Sequence, residues 1–393
     1  MAYLCAMQHK MIISGMGSIS AMGSNQEDIW EHYSQGSTRI TNCCFNSCDT
    51  PVGKLFPQEE LLLKNLRKEN PHYRRLDKTV LLSILAARRA VDQAGWDSNE
   101  YASINLGSSR GATQLFEKYH KNFVTNESKR LSPVVSPTTT LGNLSSWVAY
   151  DLGVKGASFS HSITCSTALH SFLNAIAWLQ SGMANKFIVG GSEAPLSDFT
   201  IAQMKALRIY SEEEGVYPSL PLEKDKKANS MVLGEGAAIF CIEKDEDQNR
   251  IATILGVGYS TELIEHNVSL SAEADCLKRS MEMALKNANL SKVDSIVMHA
   301  PGTMKGDASE HKAIQKIFGT EMPHLISTKF TTGHSFGASG ALSLELAILM
   351  LQKNQLIQFP YESLTSGKPK SVNTIMINAT GFGGNAVSII LSK

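Results

Sequence analysis

At 393 residues the chain is long enough for one large two-part fold or two domains, and its 42% hydrophobic and 19% charged residues exclude a disordered or fibrous polymer. Its 37 basic residues balance 37 acidic ones, so no overall field draws it to nucleic acid or an anionic membrane, and any docking surface must be local. The amino end, MAYLCAMQHK, has no basic stretch leading into a long apolar one, and no apolar run reaches the ~18 residues of a membrane span, so the chain reads as soluble and cytoplasmic.

In chain order, Met11-Ile12-Ile13-Ser14 runs into Gly15-Met16-Gly17, the pattern of a buried strand followed by a tight turn. Seven cysteines, an odd number, point to reduced thiols. Cys43, Cys44 and Cys48 lie close together, but no second cysteine or histidine pair follows at zinc-site spacing, so they are read as a polar loop with no metal. From Leu76 to Ala94 apolar residues recur every three or four positions up to Gly95, which predicts an amphipathic helix.

The segment Ser162 to Leu169 changes from strand-like to helical, with Leu169, Phe172, Leu173, Ile176 and Leu179 forming an apolar stripe behind it. Cys165 therefore falls near a helix start, where amide groups and the dipole favour thiolate. A cysteine taken alone is more often a small packing residue. Short apolar strands at Phe187–Val189, Ala238–Phe240, Ser295–Met298 and Ile375–Ile377 alternate with helical stretches, which predicts a layered α/β fold. Residues 251–258, IATILGVG, repeat the opening phrase and hint at two related halves.

His299 follows the strand ending at Met298, where open α/β sheets place reactive groups, and a neutral imidazole there can donate to a developing oxyanion. In Ser327 to Ala341, small residues allow close helix packing, while Lys329 and His334 flank a turn; the lysine charge disfavours protonated imidazoles nearby. Asn378 to Ala386, with Gly381-Phe382-Gly383-Gly384, is a strand exit whose glycines expose backbone N–H groups. No lysine follows as in a phosphate-binding loop, and no G-x-G-x-x-G opens a dinucleotide unit, so nucleotide binding is discounted.

Taken in order, these segments, with Val189-Gly190-Gly191-Ser192-Glu193-Ala194 and Gly234-Glu235-Gly236-Ala237, resemble the beta-ketoacyl-[acyl-carrier-protein] synthases of the thiolase superfamily, especially the synthase II-like and type II polyketide branches. The resemblance spans nearly the whole chain. It implies an α/β thiolase fold of five layers, α-β-α-β-α, with two pseudo-repeated halves: residues 1–250 carrying Cys165, and residues 251–393 carrying His299, Lys329, His334 and the Gly-Phe-Gly-Gly turn. It further implies Cys165 as nucleophile, His299 and His334 as the catalytic histidines, Lys329 behind them, Glu310 as the lysine's partner and Asp307 in support. Phe382 matches a gating phenylalanine whose amide joins that of Cys165 in an oxyanion hole. Thr303, Thr331, Arg110, Thr380 and Pro301 fall at substrate-binding positions.

The implied reaction is decarboxylative condensation of an acyl thioester held on Cys165 with malonyl carrier protein, in fatty-acid or polyene and polyketide elongation. Substrates ride on the phosphopantetheine of an acyl carrier protein, with no metal or redox cofactor. The chain departs from the family pattern where Pro301 replaces a threonine, Thr380 a phenylalanine and Arg110 an apolar pocket-floor residue, all of which bear on acyl choice. Homodimers and heterodimers with a chain-length-factor subunit both occur in the family, so a non-catalytic or weakly active partner subunit is the alternative, and a loading-only acyltransferase a weaker one. An acidic carrier calls for a basic patch, for which Lys64, Arg67, Lys68, Lys129, Arg130, Lys205 and Arg208 are candidates by position.

Overall fold

The opening glycines do not turn the chain. In the computed structural model, which describes residues 10–97, 101–126, 129–244, 249–263, 270–365, 367 and 369–393, strand β1 (Met11–Ser20) runs straight through them and is buried along its length. Their lack of a side chain serves packing: a Cβ on Gly15 would lie 2.1 Å from the Ala90 carbonyl oxygen, and one on Gly17 2.2 Å from that of Ala86. Both carbonyls belong to helix α1 (Lys78–Ala94). That helix begins two residues later than the apolar pattern suggests, because Asp77 caps it by accepting from the Thr79 amide at 2.9 Å. Gly95 ends it in the left-handed conformation, with φ +66°.

The same joint recurs in the second half. Strand β6 (Ala252–Thr261) would bring a Cβ on Gly256 within 2.3 Å of the Ala284 oxygen and one on Gly258 within 1.8 Å of the Ser280 oxygen, both on helix α3 (Asp275–Ala288). The phrase repeated in the sequence is thus a repeated strand-on-helix contact.

Ten strands complete the sheet. The first set adds β2 (Ser103–Gly107), β3 (Ser158–His161), β4 (Lys186–Glu193) and β5 (Gly236–Lys244) to β1, in the order β3-β2-β4-β5-β1. The second adds β7 (Ser295–Val297), β8 (His324–Ile326), β9 (Thr374–Gly381) and β10 (Asn385–Ser392) to β6, in the matching order β8-β7-β9-β10-β6. Directions match as well: in each set the first three strands of that order run parallel, while the last two pairings are antiparallel. The sets meet where Met11, Ile12 and Ile13 pair with Ile254, Thr253 and Ala252.

Helices α2 (Thr167–Ser181) and α4 (Ser339–Lys353) touch each other and strands of both sets, whereas α1 packs on the first set and α3 on the second. This is the five-layer α-β-α-β-α stack. Ser339 to Leu351 of α4 is buried on every side, as a helix between two sets of strands must be. Gly340 lets α4 approach α2, since a Cβ there would meet the Leu169 Cγ at 2.9 Å.

Cys43, Cys44 and Cys48 belong to a hairpin, Thr41–Phe45 paired with Cys48–Gly53, and not to an irregular loop. Asn46 and Ser47 form its two-residue turn with φ +49° and +63°, the turn geometry that fits strand twist. The six described cysteines are free thiols. No helix among the described residues is long and apolar enough to cross a membrane, and residues 1–9, read above for a leader, lie outside the described set.

Candidate active site

Cys165 sits one residue before Ser166, the cap of the middle-layer helix α2. The turn presenting it is strained, since Thr164 has φ +48°, a conformation that β-branched residues rarely adopt. The Thr164 carbonyl is held by the Thr167 hydroxyl at 2.6 Å, and its own hydroxyl donates to the Phe382 carbonyl at 3.2 Å. The nucleophile turn and the turn between β9 and β10 are therefore joined directly.

Two buried imidazoles from the second half line the same cavity as this cysteine. His334 Nε2 lies 3.2 Å from Cys165 Sγ. Its backbone is pinned by the Val232 carbonyl, which accepts from the His334 amide at 2.6 Å, and by the Gly234 amide, which donates back at 3.0 Å. His299 stands edge-on to the His334 ring, with centroids 5.3 Å apart and planes at 86°.

The loop carrying His299 is fixed through its amides. Glu310 accepts from the amides of His299 at 3.0 Å and Ala300 at 2.8 Å, and Asp307 accepts from that of Gly302 at 3.0 Å. Pro301 has no N–H to satisfy. Asp307 is also ion-paired with Lys226 at 2.9 Å, and Thr303 caps the helix Met304–Phe318 that bears both carboxylates.

This arrangement corrects the expected Glu310–Lys329 pair. Both Glu310 oxygens are taken by backbone amides and by Asn378 Nδ2. The buried Lys329 Nζ has only the Met298 carbonyl at 3.5 Å and the Ser343 hydroxyl at 3.4 Å, with no carboxylate at ion-pair distance among the described residues. Burial lowers its pKa to about 8, against the attraction of Glu310, Cys165 and Asp307. Burial likewise pushes Glu310 up to about 7.

The imidazoles are held neutral, mainly by burial and secondly by Lys329: His334 is lowered to about 3 and His299 well below its ordinary value. The expectation of a depressed thiol pKa at Cys165 is overturned, since burial and the charge of Glu193 push it up to about 12 against Lys329 and Arg110. Burial thus favours a neutral thiol beside a neutral imidazole.

Cys165, His299, His334 and Phe382 share a cavity of about 440 Å³, which Pro301, Thr303 and Thr380 also line. Its remaining wall includes Met204, Leu207, Met231 and Phe336, apolar residues that the sequence reading did not single out. Two assigned substrate residues are not among its lining. Thr331 is fully buried and donates to the Ser37 carbonyl at 2.9 Å. Arg110 lies behind the wall, stacked 5.0 Å from the Phe336 ring centroid and bonded to Gln203 Oε1 at 2.7 Å.

Glu193, which the sequence offered only as part of a motif, ties the turn at residues 108–110 to the segment that follows His334. Its carboxylate accepts from the Ser108 hydroxyl and from the amides of Ser109, Arg110 and Gly337. Of the basic candidates, Lys64, Arg67 and Lys68 lie on the helix Pro57–Glu69, while Lys129 and Arg130 follow the helix Thr113–Thr125. Lys205 and Arg208 are exposed beside Met204 and Leu207 at the cavity. Arg67 is only half-exposed and turns its Nη2 toward the Leu76 carbonyl at 3.4 Å.

A thiol at a helix start, two neutral imidazoles on loops from the facing half and a glycine turn against the thiol define an acyl-transfer centre of the thiolase fold. The chain belongs to the beta-ketoacyl synthase family: residues 8–248 match the model of the family's N-terminal domain and residues 251–360 that of its C-terminal domain. It is 29% identical over 412 residues to the 3-oxoacyl-[acyl-carrier-protein] synthase 2 of Staphylococcus aureus (strain COL), covering 98% of each chain. It shares its fold with the ishigamide ketosynthase/chain length factor, at TM-score 0.84 and 20% identity over 98% of this chain and 99% of that one. The type II polyketide ketosynthase AntDE, solved with its acyl-carrier protein AntF and bound to the hexaketide, gives TM-score 0.81 and 20% identity over the same shares.

Proposed function

We propose that the protein is an active beta-ketoacyl-[acyl-carrier-protein] synthase that joins an acyl group on Cys165 to a malonyl unit with loss of carbon dioxide. The 3.2 Å approach of His334 Nε2 to Cys165 Sγ, with His299 beside it in one cavity, carries this reading. In the first half-reaction Cys165 attacks an acyl thioester; the acyl–sulfur bond to the carrier breaks, and the thiol proton passes to the departing carrier thiol. In the second, malonyl thioester loses carbon dioxide, and His299 and His334 donate N–H groups to the enolate oxygen. The enolate carbon attacks the acyl-Cys165 carbonyl, the amides of Cys165 and Phe382 hold the oxyanion, and collapse expels the Cys165 sulfur, which regains one proton.

Acyl carrier protein is the proposed partner, with its phosphopantetheine reaching the cavity past Pro301 and Thr303 and no further cofactor. Lys64, Arg67, Lys68, Lys129, Arg130, Lys205 and Arg208 are its proposed docking residues. Assembly with a second copy or with a homologous chain-length-factor subunit is proposed by analogy with the solved complexes of similar fold, and the reaction is placed in the cytoplasm. The thiol and both imidazoles in one cavity speak against a purely non-catalytic subunit. Growing fatty-acid, polyene or polyketide chains are the proposed substrates, with acyl choice set at Thr380, Pro301 and the Arg110–Phe336 stack. The test is intact-mass analysis after incubation with acyl carrier protein: an acyl adduct is expected on the wild type and none on Cys165→Ala. A wild type that never acquires the adduct contradicts the reading.

A further inference from the structure

The two imidazoles differ at the nitrogen facing away from the reaction. His299 Nδ1 is buried with no hydrogen-bond partner, whereas His334 Nδ1 lies 2.9 Å from the hydroxyl of Ser339, the first residue of α4. The proton on an imidazole is placed by whatever partners its other nitrogen. Ser339 Oγ has one further neighbour, the Ser335 hydroxyl at 3.3 Å, which is long for an O–H···O bond.

Two arrangements of protons are available. If Nδ1 carried the proton, it would donate to Ser339, whose own proton would be left to the long contact with Ser335. If Nε2 carries it, the Ser339 hydroxyl donates to Nδ1 at 2.9 Å, its oxygen can accept from Ser335, and the Nε2 proton points at Cys165 Sγ, 3.2 Å away. Both arrangements use the same two contacts of Ser339, but only the second turns an N–H toward the sulfur and the cavity. It gives the sulfur an N–H donor for the moments when charge develops on it, as it attacks the thioester and as it is expelled, in a cavity otherwise hostile to charge.

We propose that Ser339 is a positioning residue that holds His334 in the Nε2–H form, so that the nitrogen facing Cys165 is a hydrogen-bond donor throughout the reaction. The catalytic consequence rests on the condensing function proposed above, but the proton placement does not. His299 Nδ1 has no such partner, so of the two site imidazoles one has its tautomer fixed by Ser339 and the other has its tautomer left to the substrate.

The experiment is long-range proton–nitrogen NMR of protein labelled with nitrogen-15 histidine, with the His334 resonances identified through His334→Gln. The wild type should show a protonated, pyrrole-like Nε2 and an unprotonated Nδ1 at His334. Ser339→Ala should give averaged tautomer shifts and malonyl decarboxylation lowered about tenfold, as loss of one hydrogen bond to a catalytic group implies. Ser339→Thr, which retains the hydroxyl, should restore both. A protonated Nδ1 in the wild type overturns the proposal whether or not the alanine variant folds. So does a Ser339→Ala protein with wild-type shifts and rate. If the wild type has the Nε2–H form yet never condenses, the proposed function falls while the role of Ser339 stands.

Discussion

The hydroxyl of Thr164 donates to the carbonyl of Phe382 at 3.2 Å, so the residue before the nucleophile is tied directly to the glycine turn. Gly381 makes the contact possible. A Cβ there would lie 1.9 Å from Thr164 Oγ1 and 2.9 Å from the Cys165 amide nitrogen. Gly381→Ala should displace both proposed oxyanion donors and lower condensation by ~10² to 10³. Steady-state rates on matched acyl and malonyl carriers measure this, and a loss under threefold would show that the two turns are not coupled.

Replacing His299 or His334 with alanine should remove an enolate donor, cutting malonyl decarboxylation by ~10² to 10³ while leaving much of the acyl loading on Cys165. His334 is lowered to about 3 and His299 also lies well below its ordinary value, so neither gains a proton as pH falls through the usual histidine range near 6.5. The decarboxylation profile should carry no histidine limb there. A limb in the wild type that vanishes in one histidine variant would show that imidazole to be charged in the working enzyme.

Glu345 is buried in α4 with Ser18 as its hydrogen-bond partner, and burial pushes it up to about 7. The folded chain therefore holds this proton more tightly than the unfolded one, whose glutamate titrates near 4.3. Its contribution to stability is full below that value and is lost as pH rises to about 7, by up to about 3 kcal/mol. Glu345→Gln should flatten the fall in thermal midpoint across this window. Thermal midpoints that fall with pH by the same amount in wild type and variant would contradict this assignment.

Gly258 is spared a side chain by helix α3, since a Cβ there would lie 1.8 Å from the Ser280 oxygen. Gly258→Ala should cost about 1 to 3 kcal/mol as backbone is forced apart. Gly142→Ala, where no atom lies within 4 Å, is the control. Equal unfolding midpoints for the two variants would refute the packing argument.

The nucleophile and the histidine segments were legible because each couples a reactive residue to a local change of pattern, strand into helix at Cys165 and strand end at His299. The repeat was legible in residues 251–258, although its meaning was not: the glycines of both halves clear space for a helix whose sequence lies far away. The same distance hid the Glu193–Gly337 hydrogen bond, which joins residues 144 apart, and the role of Ser339. Burial was the other unreadable quantity. It raises the Cys165 thiol where the helix start alone suggested lowering, and the folded backbone takes Glu310 away from Lys329.

The central claim is that Cys165 hands its acyl group to a decarboxylated malonyl unit. It is tested most directly by isolating the acylated protein, adding malonyl carrier protein and weighing both species. The account predicts that the acyl mass leaves Cys165 and that the carrier gains a beta-ketoacyl chain two carbons longer than the one supplied, with carbon dioxide released. Acyl groups that persist on Cys165 while the carrier remains malonylated, in a folded and correctly partnered protein, would contradict it.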